Sequence, residues 1–501
     1  MADFELVVIG AGANGAAIAR DAAGRGLKVL LFDEGDLAPD ASFGPHMLVR
    51  SALRLPWGSF RVLRAALAER EVMLATAPHL ARGQRLVLLP QDSARTTLAL
   101  RGRLFVCDHL ASRRSILPAT RTLDLTHHPF GTALRRSFDF GFACSDCRVD
   151  EVRLQIANAR EATYRGVVVR TRTRCQRAER GEEWTLVINA RGERLSITAR
   201  AVVNAAGPAL EKIAVKLVGR PPPIPVRTIK ETYVVAPRAF DHDGGYLLPD
   251  RLGGYVLALP FGADTMLIGP IEQTYSGVAA PPAPTAEETA SLCALANHYF
   301  RRPTQLDDVS PFSRISVMPK DAGDPSMPSI ANRILYLDKP RGLAPLLTVC
   351  GGPAVLARQI AEAALDQISR FFTGPPAWTR GSPLLGGDFP VDGIDALVAA
   401  TEQRWPFLSA QHARRLVSSY GTRVGQILGS AMQPGDLGAQ FGADLTAAEI
   451  EYLMGEEWAE TAEDVLWRRS SLGLRLSANE REALARFMAT RPRARSGKDF
   501  H

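Results

Sequence analysis

The chain has 501 residues, of which 46% are apolar and 23% charged, and its formal net charge is +7. This composition excludes a disordered chain, and the length provides for two or three domains. No run of about 20 apolar residues occurs, so we expect no membrane-spanning helix, and Lys and Arg are scattered, so we expect no nucleic-acid partner.

The first elements predict a βαβ unit. Residues 4–9 (FELVVI) are typical of a buried parallel strand, Ala13–Arg25 has apolar positions at helical spacing, and residues 28–33 (KVLLFD) supply the next strand. Acidic Asp3 and a glycine cluster occupy the place where an export signal needs its apolar run. We therefore expect a cytoplasmic protein.

The remaining elements follow from the same kind of pattern. The sequence predicts, in order, helix over about 46–80, helix over 150–165, strand over 166–175, strands over 184–204, an antiparallel sheet over 224–275, helices over 285–301 and 353–372, a Pro/Gly-rich linker over 374–390, and amphipathic helices over Leu445–Gly455 and Trp458–Leu472.

The strongest local signal is a glycine motif between the first strand and the first helix. Gly10 allows a tight turn, Gly12 lets the backbone approach a pyrophosphate, and Gly15 allows close packing of helix on strand. A helix N-terminus attracts phosphate. Asp33 ends the second strand, where a carboxylate accepts from a ribose hydroxyl and disfavours a 2′-phosphate. The motif predicts a dinucleotide site, with Asn14 and Glu34 as further contacts.

Strand 200–208 (RAVVNAAGP) runs into a turn of small residues at Ala206 and Gly207. Flavoproteins that bind two dinucleotides use such a turn where the chain returns to the cofactor. This turn favours FAD over NAD.

The six cysteines are too few for a disulfide framework. Cys144 and Cys147 form a C-x-x-C, but no second pair or pair of histidines lies near them in sequence. We interpret them as structural residues and expect no metal site.

Over residues 6 to about 475 the chain resembles the aerobic, FAD-dependent glycerol-3-phosphate dehydrogenases. The matching segments, in order, are VVIGAGANGAAIARDAAGRGLKVLL, RAALAEREVMLATAPHL, LPATRTLDLT, SDC-VD, RTRTRC, VVNAAGP, PLLTVCGG, GGDFP, SYGTR and EWAETAEDVLWRRSSLGLRL.

The resemblance implies an α/β fold with an FAD-binding Rossmann-type (glutathione-reductase-like) domain, an antiparallel-sheet substrate domain and a C-terminal all-helical domain. We place the FAD domain at about 1–80, 145–220 and 325–373, the substrate domain at about 81–144 and 221–324, the linker at 374–390 and the helical domain at 391–501. The implied reaction oxidises the C2 hydroxyl of glycerol 3-phosphate or a related polyol phosphate. Quinone as electron acceptor, peripheral contact with the inner face of the cytoplasmic membrane, and a homodimer are further expectations.

The chain departs from the family around the pocket. The family's K-L-I-H-G-G-L-R-Y segment keeps only Arg54 and an apolar pair here, and Ser42 is what remains of the preceding Ser/Thr run. K-G-S-H becomes residues 230–233 (KETY), G-V-R-P-L becomes residues 314–318 (RISVM), and the lysine of G-G-K-I-T becomes Pro353.

Three readings stay open: oxidation of glycerol 3-phosphate, a flavoenzyme with another substrate, and a catalytically silent paralogue with a binding role. Because the scaffold motifs are kept while the pocket is rewritten, the pattern favours a repurposed protein over a decaying one. The candidate catalytic residues are Arg54, Tyr233 and Arg314. Gly351 and Gly352 mark a close backbone approach to the flavin, and Ser42 is a further cofactor contact.

Overall fold

The computed structural model describes residues 2–38, 45–47, 60–90, 94–110, 115–135, 138–250, 254–276, 282–320 and 334–491. Two residues predicted for the site, Ser42 and Arg54, lie outside the described residues. Their roles therefore stay predictions.

The strands are, in chain order, β1 (Phe4–Ile9), β2 (Val29–Phe32), β3 (Pro45–Met47), β4 (Ala81–Leu88), β5 (Arg121–Asp124), β6 (Phe140–Asp150), β7 (Val168–Arg170), β8 (Thr173–Arg180), β9 (Trp184–Ala190), β10 (Glu193–Asn204), β11 (Val226–Pro237), β12 (Gly245–Pro249), β13 (Tyr255–Phe261), β14 (Thr265–Tyr275), β15 (Ser310–Pro319), β16 (Leu335–Asp338) and β17 (Leu346–Val349).

The α-helices are α1 (Ala13–Gly24), α2 (Phe60–Thr76), α3 (Ala94–Leu110), α4 (Pro129–Thr132), α5 (Glu151–Tyr164), α6 (Leu210–Val218), α7 (Ala286–Tyr299), α8 (Ala357–Ile368), α9 (Ile394–Arg404), α10 (Ala410–Tyr420), α11 (Val424–Leu428), α12 (Ala447–Glu456) and α13 (Ala478–Ala489). None of the helices in the described ranges has both the length and the apolarity that crossing a bilayer needs.

The first sheet has the order β16-β17-β10-β1-β2-β7, and β9 and β8 extend it from β10. β1 runs parallel to β2 and to β10, and β10 runs parallel to β17, so the carboxyl ends of these strands meet at one edge. Strands β1 and β2 are almost entirely apolar and buried because α1, α5 and α8 cover this sheet. The predicted βαβ unit is confirmed.

The second sheet has the order β15-β11-β14-β13-β12-β4-β6-β3, with β5 paired to β6. Its strands β11 to β14 pair antiparallel, as predicted for residues 224–275, and β15 adds a further antiparallel strand that was not predicted. Strand β6 runs unbroken across 144/145, the predicted domain edge, and belongs to this sheet up to Asp150. The prediction of helix over 46–80 was wrong at its start, where β3 pairs with β6.

The C-terminal region has a core of its own, built from helices α9 to α13. The prediction of a regular amphipathic helix over Trp458–Leu472 was wrong. Trp458 has a left-handed φ of 56°, the Asp464 carboxylate accepts from the backbone N–H groups of Glu460 and Thr461, and residues 464–469 form a π-helix. A π-helix adds a residue per turn and often marks a functional position.

The Pro/Gly-rich stretch 374–390 packs along α1. The Trp378 indole N–H donates to the backbone oxygen of Asp21 at 3.1 Å, and its ring lies under the guanidinium groups of Arg20 and Arg165. A side chain at Gly24 would collide with this ring, because a Cβ there would lie 2.0 Å from it. The link between the two regions is therefore a packed contact.

Candidate cofactor and substrate site

The turn from β1 into α1 is closed by glycines. Gly10 has a φ of +102°, and a Cβ there would lie 2.5 Å from the backbone oxygen of Ala205. A Cβ at Gly15 would lie 1.8 Å from the backbone oxygen of Gly10. Both positions exclude side chains because two backbones meet there, as predicted.

Gly12 differs from both. It has an ordinary φ of −71°, and a Cβ added there meets no atom of the described residues within 4 Å. Gly12 is also the N-cap of α1, which has no side-chain cap and no acidic residue in its first turn. The first N–H groups of α1 therefore have no capping side chain to accept their hydrogen bonds. A helix start of this kind is the arrangement that binds phosphate.

Asp33 ties this turn to the end of β2. Its two carboxylate oxygens accept from the backbone N–H groups of Ala11 at 2.7 Å and of Gly35 at 2.8 Å. Burial raises the pKa of Asp33 to about 6. Each oxygen keeps a further lone pair with which to accept from a ribose hydroxyl. Glu34, predicted as a contact, is exposed and lies 3.9 Å from Arg174.

Two more loops reach the same edge of the sheet. Ala206 and Gly207 follow β10, and the backbone N–H of Ala205 donates to the Ile9 oxygen at 2.8 Å. The side-chain amide of Asn14 donates to the backbone oxygen of Gly351 at 3.3 Å, which joins α1 to the loop after β17. The buried Oδ1 of Asn14 has no hydrogen-bond partner among the residues that the structure describes.

Gly351 and Gly352 both have positive φ, at 98° and 115°. A Cβ at Gly351 would lie 2.3 Å from the backbone oxygen of Val317, so this glycine lets β15 approach the loop. The predicted approach of this backbone to a flavin stays a prediction. These glycines place the second sheet beside the dinucleotide edge of the first.

The residues present at this edge fit a dinucleotide. The free space at Gly12, the uncapped start of α1, the paired carboxylate of Asp33 and the unpartnered acceptor of Asn14 surround one edge of the sheet. Such crevices at the carboxyl ends of parallel strands are where α/β folds bind nucleotides. They would hold the adenosine and diphosphate end of FAD.

The second sheet carries a buried cluster of charges on neighbouring strands. Glu231 of β11 pairs directly with Arg314 of β15, and the Arg314 Nε donates to a Glu231 oxygen. The Arg314 Nη1 donates to Glu151 at 3.0 Å. These carboxylates hold the pKa of Arg314 well above its usual value despite burial.

Tyr233 lies on the same face, two residues from Glu231. Its ring stacks on Phe312 with 5.2 Å between ring centroids, the Arg314 guanidinium lies 5.4 Å from its centroid, and its hydroxyl donates to Glu231 at 3.3 Å. The structure thus brings Tyr233 and Arg314 together, as two of the three residues predicted for catalysis. The sequence reasoning missed Glu231 and Glu151. Glu231 replaces the glycine of the family's K-G-S-H motif, and this replacement could have indicated that a base lies opposite it.

The C-x-x-C pair has structural surroundings. Cys144 and Cys147 are both buried in β6, three residues apart, and their side chains lie in separate core clusters. Burial raises the pKa of Cys144 to about 12 and that of Cys147 further. Within the described ranges, no group of His, Cys, Asp or Glu is arranged to hold a metal ion.

Comparison with known proteins agrees with this geometry. Residues 5–365 match the family model of FAD dependent oxidoreductases, and residues 377–491 match the model for the C-terminal domain of alpha-glycerophosphate oxidase. Fold and site thus define an FAD-dependent oxidoreductase.

The relatives narrow the class further. The chain is 37% identical over 491 residues to a glycerol-3-phosphate dehydrogenase of Pseudomonas aeruginosa, covering 97% of this chain and 95% of the relative. It is 35% identical to the aerobic glycerol-3-phosphate dehydrogenase of Escherichia coli, with 97% of each chain covered, and 35% identical to a D-erythritol 1-phosphate dehydrogenase of Brucella abortus, with 96% of each covered. The chain belongs to the FAD-dependent glycerol-3-phosphate dehydrogenase family.

A solved structure shows the same fold. The glycerol-3-phosphate dehydrogenase of Bacillus halodurans, complexed with FAD, superposes with a TM-score of 0.72 at 20% identity, covering 97% of this chain and 90% of that one. The agreement includes both sheets and the helical C-terminal region. The predicted fold class is confirmed.

Proposed function

We propose that this protein oxidises a secondary hydroxyl of a polyol phosphate. The observation that carries the proposal is the dinucleotide cradle, by which we mean the open turn at Gly12 and the uncapped start of α1. The curated relatives of the chain include enzymes named for glycerol 3-phosphate and D-erythritol 1-phosphate. FAD, when bound, supplies the acceptor for the hydride of the carbinol carbon. The protein supplies the grip on the cofactor, the orientation of the substrate and a path for the hydroxyl proton.

We infer different roles for the three candidate catalytic residues. The Arg314 guanidinium is held by two carboxylates, so it organises the pair of Glu231 and Tyr233 and does not bind phosphate. Tyr233 is the acid/base candidate, since its hydroxyl already contacts a carboxylate. We therefore assign binding of the substrate phosphate to Arg54, the candidate cation that is retained from the family motif.

Reduction of the flavin tests the proposal directly. The purified protein, yellow with absorbance at about 450 nm from its cofactor, is mixed without oxygen with glycerol 3-phosphate or D-erythritol 1-phosphate. We expect at least one of them to bleach the flavin, and glycerol and erythritol without the phosphate to leave it oxidised. A yellow protein that no polyol phosphate bleaches contradicts the proposal and supports the silent reading.

We also propose that the protein contacts an anionic membrane surface through α3, close to which a quinone acceptor would lie. Leu98 and Phe105 are 72% and 60% exposed, and exposed Arg101 lies between them at helical spacing. Exposed apolar side chains beside a cation can enter the headgroup region of an anionic bilayer and pair with its charge.

Vesicle sedimentation tests this contact. We expect the unmodified protein to pellet with vesicles of anionic lipid, and the variant Leu98→Ser/Phe105→Ser to stay in the supernatant. Met432→Ser is the matched control, because Met432 is 83% exposed in the C-terminal region and lies far from α3 in sequence. Equal pelleting of all three proteins would reject α3 as the contact.

A further inference from the structure

The loop after β2 carries a second carboxylate besides Asp33. Asp36 is buried at 5% exposure, and its two oxygens accept from Nη1 and Nη2 of Arg469, both at 2.8 Å. Arg468 Nε donates to the same carboxylate at 2.9 Å. Both arginines belong to the π-helix of the C-terminal region, 432 and 433 positions further along the chain.

Arg469 is held rigidly. Its side chain is fully buried, and two further N–H groups donate to the backbone oxygen of Glu457 at 2.7 and 3.1 Å. The Glu457 carboxylate in turn pairs with Arg153 of α5 at 2.5 Å. A planar guanidinium with two bidentate contacts fixes geometry in a way that a flexible cation does not.

A second contact reaches the same loop from the other side. The backbone N–H of Arg172 donates to the Gly35 oxygen at 2.6 Å, and its side chain donates to Asp464 of the π-helix at 2.6 Å. The backbone N–H of Gly35 itself donates to Asp33. The π-helix therefore contacts this loop directly at Asp36 and, through Arg172, indirectly at Gly35. The other end of the loop holds Asp33, the carboxylate predicted to bind ribose.

We propose that Arg469 and Asp36 are positioning residues for the cofactor, through which the C-terminal helical domain sets the affinity for FAD. Without Arg469, Asp36 keeps its single contact with Arg468 but loses the bidentate pair that fixes the orientation of its carboxylate. The loop then carries Asp33 away from the N–H of Ala11 and from the ribose. The inference rests on FAD as the cofactor and is independent of the substrate.

The test compares two arginines of the same domain whose side chains have low exposure. Arg415 makes an equivalent bidentate pair with Glu449, at 2.7 Å for both contacts, but within the C-terminal core. FAD dissociation constants are measured by titrating cofactor-free protein, and the melting temperature of that protein is recorded. We expect Arg469→Met to weaken FAD binding about tenfold or more, the equivalent of one lost hydrogen bond to the ribose. Arg415→Met lowers the melting temperature and leaves FAD affinity within about twofold, because Arg415 contacts no part of the loop.

A milder variant covers the case in which Arg469→Met does not fold. Asp36→Asn keeps the shape of the side chain and removes its charge, and it is expected to weaken FAD binding in the same direction. Equal loss of affinity in the Arg415→Met protein would mean general loosening and would overturn the proposal. So would unchanged FAD affinity in the Arg469→Met protein, or in Asp36→Asn where that protein alone folds.

Discussion

Gly12→Val is expected to give a folded protein that binds FAD about 100-fold more weakly than the unmodified chain, or worse. The backbone at Gly12 is one that any residue adopts, and within the described part of the chain no atom lies within 4 Å of a Cβ placed there. The fold should therefore tolerate valine. The branched side chain instead fills the space in front of the first N–H groups of α1, where a diphosphate would accept hydrogen bonds.

The experiment separates the cofactor from the fold because both are measured on the same protein. FAD affinity is obtained by titration, and the melting temperature of the cofactor-free protein is expected to stay within a few degrees, since no packed contact is changed. Gly455→Val is the matched control: its Cβ also meets nothing within 4 Å, but it lies in α12. Unchanged FAD binding in Gly12→Val would contradict the claim that the start of α1 binds the diphosphate of FAD.

Arg314→Met is expected to lower the free energy of unfolding by about 3–5 kcal/mol, because removal of one partner leaves buried charges uncompensated. Glu231 and Glu151 share this guanidinium, and all three side chains have low exposure. Adding Glu231→Gln to Arg314→Met removes one of the two stranded charges. We therefore expect the double variant to be more stable than Arg314→Met alone.

The free energy of unfolding is measured by urea unfolding of the cofactor-free protein. The unmodified chain, the two single variants Arg314→Met and Glu231→Gln, and the double variant are compared. Arg302→Met is the control: Arg302 makes a bidentate pair with Asp241 at 2.9 and 3.0 Å, but both side chains are exposed. A surface pair of this kind contributes at most about 1 kcal/mol. A loss of that size in Arg314→Met would show that water, and not protein, compensates the two carboxylates.

The dinucleotide half of the site could be predicted because its signals are local. Gly10, Gly12, Gly15 and Asp33 lie within a single βαβ unit, whose apolar runs predicted both strands and the helix between them. The role of each glycine, in the tight turn, the approach to phosphate or the packing of helix on strand, follows from the geometry of this short segment alone.

The substrate half could not be predicted in the same way. The pairing of Glu231 with Arg314 depends on the register between two strands about 80 residues apart, which no local pattern contains. The sequence presented Arg314 only as a candidate catalytic residue, and the partner strand is needed to show that carboxylates hold it. The π-helix at 464–469 was missed for a related reason, since Asp464 caps its own turn and binds a distant arginine.

The cross-strand pair has a consequence for how this pocket arose. Both positions correspond to glycine in the family motifs. An acid introduced alone at position 231 would be buried without the arginine that compensates its charge, whereas an arginine introduced alone at position 314 would still pair with Glu151. The acid is therefore not tolerable for long by itself and should have been inherited together with the arginine. Across related sequences, an acid at the position of Glu231 should occur only with a base at the position of Arg314.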